Sequence, residues 1–530
     1  MSLNRIVICL VILVSLNISG KMYADQTLPL DPNYTIPGVV TDQFTVFTIP
    51  TVAKPAYGIP MIDPVFGTSV TRIVGDSGTT VSWAGPPSGS GTWGLNARHH
   101  YSKDQPWNAD GTLIAIQNNG TAGDLYLDGH TYKPRYKVYS TKGDDRWHPT
   151  LPNVRINVRS SGTVLEWVDV TTGTQLRTWT LPFSADGLGS GEGNPSFDGR
   201  FVVLSTSTGS SSCVVDMDPQ PPLAPYPYKR IGPVYAGAYY PGGDGSEFDW
   251  ISVSASGKYC VVAYDKPNVN HLRVFDVNSS TLAISPRPMP VDSLECYCHS
   301  GDANATQGWI YHLAHADMTL DPFDSNEDIL VGQARSSTYC PLTNKEGVAL
   351  GQVITVRLKD NKVIRGTTPG NESTVHHVST RSYDRPGWAY ASYYTSGKRY
   401  SGEVVGVKLD GSGYTERYVH HHSTESTYEV EVHAVPSPDG RRVIFASDWM
   451  KYGTGGSSTN FQGYVVDTTP VGDLTHSGWV DMRDLAKFAN DWLSTGCITP
   501  DWCGGTDLNS SGTVDNVDLA IMAQNWLAGN

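Results

Sequence analysis

Between residues 108 and 467, apolar runs of four or five residues alternate with short polar turns, a spacing that predicts strands rather than helices. In one stretch His433-Ala434-Val435-Pro436 leads into Ser437-Pro438-Asp439-Gly440, then Val443-Ile444-Phe445-Ala446-Ser447 and, after a loop, Tyr464-Val465-Val466-Asp467. That order predicts three strands of an antiparallel meander with a tight Asp-Gly turn between the first two. Asn194-Pro195-Ser196-Phe197-Asp198-Gly199 precedes Phe201-Val202-Val203-Leu204-Ser205 in the same way, with Cys213-Val214-Val215-Asp216 as the third strand.

Looser copies begin at Asn108-Ala109-Asp110-Gly111, Ser254-Ala255-Ser256-Gly257 and Ser382-Tyr383-Asp384, and weaker ones at His148-Pro149 and His315-Ala316-Asp317. Seven copies at intervals of about 45 to 65 residues predict an all-β, seven-bladed β-propeller with four strands per blade. The segment Asp63–Ile73 reads as a strand outside any complete blade and is expected to close the ring as the outer strand of the last one. A β-sandwich with irregular hairpins is the alternative. The expected division is a signal peptide over 1–24, an N-terminal segment with the closing strand over 25–90, the propeller over 91–468 and a small helical unit over 471–530.

Arg5 followed by the apolar run Ile6–Val14 is short for a membrane span and is flanked like a secretory leader, with cleavage expected near Ala24. Cys9 lies inside the run, which argues against a lipid anchor, and no transmembrane segment is expected after signal removal. The expected location is therefore extracellular; attachment to a bacterial surface is implied only by the C-terminal resemblance given below.

The net charge of −14 argues against a nucleic-acid partner, because binding phosphates needs a basic face. Eight acids and two bases lie from Val471 onward, so acidity is concentrated at the end of the chain. There, Asp473, Thr475, Ser477, Asp481 and Asp484 occupy positions one, three, five, nine and twelve of a loop with Gly478 at six. Asp507, Asn509, Ser511, Asp515 and Asp518, with Gly512, repeat the spacing. Oxygens at these positions around a turning glycine are what an EF-hand type calcium loop needs. Each loop runs into an apolar helical pattern, Leu485–Leu493 and Leu519–Leu527.

Cys497 and Cys503 flank a short loop and are expected to form a disulfide that staples this unit. Cys296-Tyr297-Cys298-His299 offers a metal-binding run, with pairing to Cys340 or plain burial as the alternatives.

Counting six or seven residues back from each turn reaches one mouth of the expected channel, at Glu192, Asp249, His315, His377 and His433. Histidines from blades five, six and seven become neighbours there. Glu431 lies two residues from His433, and Asp317 two from His315, on the same strand face. Imidazoles from separate rigid strands make a divalent-metal site with open positions. A single histidine at a strand start is ordinarily a packed residue; three at equivalent positions point to a shared site. His99-His100-Tyr101-Ser102-Lys103 and Arg146-Trp147-His148 are expected on the same side, across the mouth. Trp107, Trp147, Trp250 and Trp388 have two readings, stacking on sugar faces or packing between blades.

The duplicated C-terminal loop and helix resemble a dockerin, which implies calcium and a cohesin-bearing scaffold as partner. The run Tyr428–Gly440 with Phe445-Ala446-Ser447-Asp448 resembles the metal-ligand strand of oligogalacturonate lyases, and the blade order with an N-terminal closing strand is also similar to that of ulvan lyases. Where the former use a glutamine, Glu431 stands near that position here, and Val435 replaces a second histidine.

The resemblance implies β-elimination at a uronic acid of an acidic polysaccharide. His315, His377, His433 and Glu431 would hold manganese, calcium or zinc, Arg146 or Lys103 would bind the carboxylate, and His100 or His148 would be the base. Tyr101 or Tyr311 would serve as a phenolic acid. A glycoside hydrolase using Glu192 and Asp249, or a non-catalytic propeller displayed through its C-terminal unit, are the other readings.

Overall fold

The computed structural model describes residues 29–219, 230–237, 245–266, 269–288, 309–310, 313–335, 350–368 and 370–528. The leader, Cys296, Cys298, His299, Cys340 and Tyr311 lie outside these residues. The chain divides into two compact units, Asp31–Thr468 and one containing Thr469–Asn530. Strands hold 38% of the described residues and helices 6%, so the described structure is mostly β.

In the larger unit, antiparallel sheets follow one another in chain order. The first runs Asn96–Arg98, Leu113–Asn118, Leu125–Asp128 and Pro134–Lys137, and the second Asp144–Trp147, Val154–Val158, Val164–Asp169 and Thr174–Thr180. The third is built on Phe201–Ser205 and Ser211–Asp216, and the fourth on Phe248–Val253, Tyr259–Lys266 and Val269–Val277. Leu313–Asp321, Glu327–Ala334, Val353–Arg357 and Val363–Arg365 form the next, followed by Val375–Ser379, Trp388–Tyr393, Glu403–Lys408 and Thr415–His420. The last comprises Val435–Pro436, Arg442–Ser447 and Phe461–Asp467, with the N-terminal strand Ser69–Arg72 paired antiparallel to Phe461–Asp467.

A ring of hydrophobic clusters between consecutive sheets holds this unit together. Ile156, Leu165 and Trp167 of the second sheet pack on Val202, Leu204 and Val215 of the third, while the alternate residues Phe201, Val203 and Val214 face Ile251, Val253 and Val262 of the fourth. Both faces of each inner strand are thus covered, which explains continuous apolar runs where a half-solvated sheet would alternate. The ring closes: Ile114 and Ile116 of the first sheet share a cluster with Val435, Ile444 and Val465 of the last. Phe461 and Gln462 also pair in parallel with Asn96 and Ala97. This is a propeller-like arrangement.

The recurring turn has one geometry. Gly440 N–H donates to the Ser437 carbonyl at 2.8 Å, Arg442 N–H to Ser437 Oγ at 3.1 Å and Arg441 N–H to Asp439 Oδ1 at 3.2 Å. Gly199, Phe201 and Arg200 repeat these bonds to Ser196 and Asp198. Gly440 and Gly199 sit at φ of 72° and 73°, where a side chain is disfavoured.

Two expectations about strands need correction. The segment Asn194–Ser196 before Phe201 is not a regular strand, and of His433–Pro436 only Val435–Pro436 is one. The reason in the second case is the backbone of His433, which has φ of 45° and turns the chain out of the pleat.

In the C-terminal unit, helices Met482–Asn490 and Asn516–Gln524 begin at Asp481 and Asp515, each with a reciprocal capping box closed by Asp484 or Asp518. Leu474, Val480, Phe488, Val514 and Met522 form its core beside the Cys497–Cys503 disulfide. No helix among the described residues is long and apolar enough to cross a membrane.

Candidate functional site

Three successive sheets present a histidine where the inner strand is irregular. His315 has φ of 46° and lies inside a bulge between Ala314 and Asp317, and His377 follows a register shift between Val375 and His377. His433 joins the 3-10 turn Tyr428–Val430 to the strand Val435–Pro436. Bulges and left-handed residues re-aim side chains and are concentrated at functional sites.

The bulge has a consequence for Asp317. A regular pleat would place it on the face of His315; instead it pairs with Arg381 at 2.6 Å and accepts from Thr380 N–H at 2.8 Å, away from the histidines. Glu431 does meet His433, but as the residue after the 3-10 turn and not as a strand neighbour.

The imidazoles lie ring against ring: His315 and His377 centroids are 4.3 Å apart, His377 and His433 4.3 Å, and His376 and His377 4.4 Å. One carboxylate reaches three of them. Glu431 lies 3.5 Å from His376 Nε2, 3.6 Å from His377 Nε2 and 3.6 Å from His433 Nε2. His376 also contacts Glu425 at 3.1 Å and stacks on Tyr394. Sequence reasoning missed His376, since strand neighbours ordinarily face opposite sides; the His376-His377 doublet was the available signal.

Burial and the surrounding imidazoles hold His377 well below the usual histidine range, and burial with Arg98 and His99 does the same for His433. Burial takes His315 down to about 3. Burial also opposes a charge on His376, but its bonds to Glu425 and Glu431 outweigh that and raise its pKa. Both ring nitrogens of His377 and Nδ1 of His433 are buried without a hydrogen-bond partner. The neutral, unpartnered imidazole of His377 beside a carboxylate fits a divalent cation, and the atoms of His376, His377 and Glu431 lie within 4.8 Å of one another, while His433 Nε2 bonds the Tyr428 carbonyl at 3.3 Å.

Tyr101 lies against this cluster, its hydroxyl 3.3 Å from His315 Nδ1 and its ring 4.8 Å from that of His433. Burial, reinforced by Glu192, raises its pKa well above that of a free phenol, so it stays protonated. Tyr428 stacks on it at 6.3 Å, another residue the turn count does not find. Lys103 pairs with Glu192 at 2.5 Å and lies 3.8 Å from the centre of the Trp250 ring.

His100 is partly exposed, with Nδ1 3.3 Å from Asp104; Arg146 is held by Asp144 at 2.6 Å and bonds the Gly191 carbonyl beside Glu192.

His148 belongs elsewhere. Its Nδ1 accepts the N–H groups of Thr150 and Leu151 at 3.2 Å, and its ring packs on Trp167 and against the Asp198-Gly199 turn. It therefore lies at the turn end of the strand and is not a base at the mouth. The tryptophans Trp107, Trp147, Trp250 and Trp388 are all buried, which is the packing reading. Asp249 is exposed and Glu192 is engaged by Lys103, so neither forms a shielded acid of the kind hydrolysis needs.

The C-terminal loops are built alike. Asp473 accepts from Ser477 and Gly478 N–H at 3.0 and 2.7 Å, and Asp507 from Ser511 and Gly512 at 3.0 and 2.8 Å. Asp484 accepts from Thr475 and Asp481 N–H, and Asp518 from Asn509 and Asp515. Gly478 and Gly512 have φ of 92° and 94°. Loop oxygens are thereby gathered at both repeats.

No protein-family model matches the chain, and no curated protein matches it. Among solved structures it is similar to an oligogalacturonate lyase from Vibrio parahaemolyticus, at 10% identity and a TM-score of 0.44 over 77% of this chain and 96% of that one. It is also similar to hydrazine synthase from Kuenenia stuttgartiensis, at 13% identity and 0.36 over 69% and 97%. The WD40 domain of Neurospora crassa Pan2 matches at 11% identity and 0.39 over 69% and 88%.

Proposed function

We propose that this protein is a secreted polysaccharide lyase that cleaves a uronic-acid-containing glycan by cation-assisted β-elimination at the histidine cluster of a seven-bladed propeller. The observation that carries this reading is the buried His377 imidazole, with neither ring nitrogen hydrogen-bonded, and the unpartnered Nδ1 of His433, beside Glu431 and with the Tyr101 phenol against them. His376, His377, His433 and Glu431, with His315 adjoining, would hold manganese, calcium or zinc.

When bound, the cation neutralises the uronate carboxylate, which makes the proton at C5 more acidic. His100, oriented by Asp104, is placed to remove that proton, and Arg146 next to it adds positive charge on the same side. Tyr101 keeps its proton and is the donor to the departing glycosidic oxygen. Lys103 orients Glu192 at the rim. Elimination leaves a double bond between C4 and C5 and a free hydroxyl on the leaving sugar, so atoms balance without a co-reactant.

The C-terminal unit is proposed as a dockerin-like module that binds calcium through both loops and docks on a cohesin-bearing scaffold. The repeat of loop, glycine and capped helix supports this part.

Incubation with uronic-acid-containing glycans, homopolymers and heteropolymers alike, and added manganese, calcium or zinc, followed by ultraviolet absorbance of the unsaturated product, tests the activity. A rise in absorbance is expected. Reducing ends without absorbance would point to hydrolysis, and neither signal with any glycan would leave a non-catalytic display protein.

A further inference from the structure

The register shift in the strand Val375–Ser379 makes His376 an extra residue: Val375 pairs with Tyr393 and His377 with Ser392, and His376 has no partner across the ladder. Strand neighbours ordinarily face opposite sides, but here the rings of His376 and His377 lie 4.4 Å apart. A bulge disrupts the ladder, so its backbone groups need other partners. Two side chains supply them. His377 N–H donates to Ser392 Oγ at 3.3 Å, and Gln333 Nε2 donates to the Val375 carbonyl. Ser392 is fully buried and Gln333 is 5% exposed.

Gln333 reaches this bulge from the preceding sheet, on the strand Glu327–Ala334. Its amide has one orientation. Arg335 Nε–H, which can only donate, bonds Gln333 Oε1 at 2.9 Å, and this leaves the NH2 group for Val375. The same strand lies against the bulge of His315. A Cβ on Gly332 would come within 2.7 Å of Ala316 Cβ and 2.9 Å of the Ala314 carbonyl oxygen, closer than such atoms approach. Adjacent residues of one strand thus make room for one histidine bulge and tie down the next.

We propose that Gln333 and Ser392 are positioning residues for the histidine cluster: their bonds to Val375 and His377 hold the bulge that turns His376 and His377 to the same side. The proposal rests on the reading of the cluster as a cation site and on nothing about the glycan. Residues of this kind touch neither cation nor substrate, yet their loss weakens the grip of the side chains they hold.

Cobalt(II) titration of full-length protein carrying Asp473→Ala and Asp507→Ala, read by visible absorption, tests this, because the spectrum reports both affinity and the arrangement of the ligands. Gln333→Met keeps the length of the side chain and removes the amide; it should weaken cobalt binding about 10–100-fold and change the spectrum. Ser392→Ala should act in the same direction, and it carries the test if the first variant fails to fold. Ile156→Val trims the core of the second sheet, away from the cluster, and should bind cobalt as the parent does. Unchanged cobalt binding in Gln333→Met or Ser392→Ala, or an equal loss in Ile156→Val, would overturn the proposal and leave the cation reading standing. No cobalt bound by the parent would overturn both.

Discussion

The histidine cluster and the C-terminal loops both gather side chains of metal-binding type, and they do so in opposite ways. Each loop draws its oxygens from twelve consecutive residues, and its carboxylates are already satisfied by their own backbone: Asp473 by Ser477 and Gly478, Asp507 by Ser511 and Gly512. The cluster draws on three sheets, from His315 to His433, and leaves ring nitrogens of His377 and His433 unpaired in the interior. A loop of the first kind keeps its shape whatever it binds. A cluster of the second kind is expensive, at roughly 1–3 kcal/mol for each unsatisfied buried group, and is sustained by the packing of the sheets around it.

The largest effect should come from removing the centre of the cluster. His377→Ala is expected to lower the elimination rate at least about 100-fold, since even residues behind metal ligands typically contribute 10–100-fold. A far-ultraviolet spectrum unchanged from wild type checks that the sheets persist. If the histidines are only packing, activity would survive and stability alone would fall. Tyr101→Phe should lower the rate by about 100-fold or more, the range of a positioned acid, while the cation is retained, as metal analysis would show.

Next in size is the contrast with the loops. Asp484→Ala together with Asp518→Ala removes both capping boxes and should destabilise the C-terminal unit by about 1–2 kcal/mol per helix. Elimination activity should stay unchanged, because the chemistry is assigned to the larger unit. Calorimetry and the product assay on one sample read both; a parallel loss of activity would break the separation.

The same contrast explains what the sequence made legible. The strands were readable because both faces of each are covered, as at Phe201–Ser205, and the turns because Ser437 and Asp439 bond the chain next to them. The loops were readable because their chemistry is local. Counting back from the turns brought His315, His377 and His433 together, since equivalent positions share a mouth.

It failed where the backbone leaves the regular pleat. The bulge after Ala314 sends Asp317 to Arg381, and the shift at Val375 brings His376 beside His377, neither of which a period of two can express. His148 was misplaced because the turn in its sheet follows it directly, so no residues remain to count back across. Tyr101, on a loop after a three-residue strand, was identifiable only as one of two phenols, with Tyr311.

A further effect concerns His148, a buried histidine outside the cluster. Burial holds its folded-state pKa at about 4, below the roughly 6.5 of an exposed imidazole. As pH falls through the interval between these values, the unfolded chain takes up a proton that the folded chain refuses, so stability present above the unfolded value is lost on acidification. The slope is at most about 1.4 kcal/mol per pH unit for one group. His148→Phe should lose stability less steeply than wild type over that interval in denaturant titrations, with no change in metal content. An equal slope would mean that the folded protein protonates His148 freely.

The central claim is that the cluster holds one divalent cation, and metal content measures it most directly. In full-length protein carrying Asp473→Ala and Asp507→Ala to disable both C-terminal loops, incubation with manganese or zinc, dialysis and inductively coupled plasma mass spectrometry should find one equivalent of metal per chain, and none when His377→Ala and His433→Ala are added. No retained metal with the cluster intact, or equal retention without these histidines, would contradict the account.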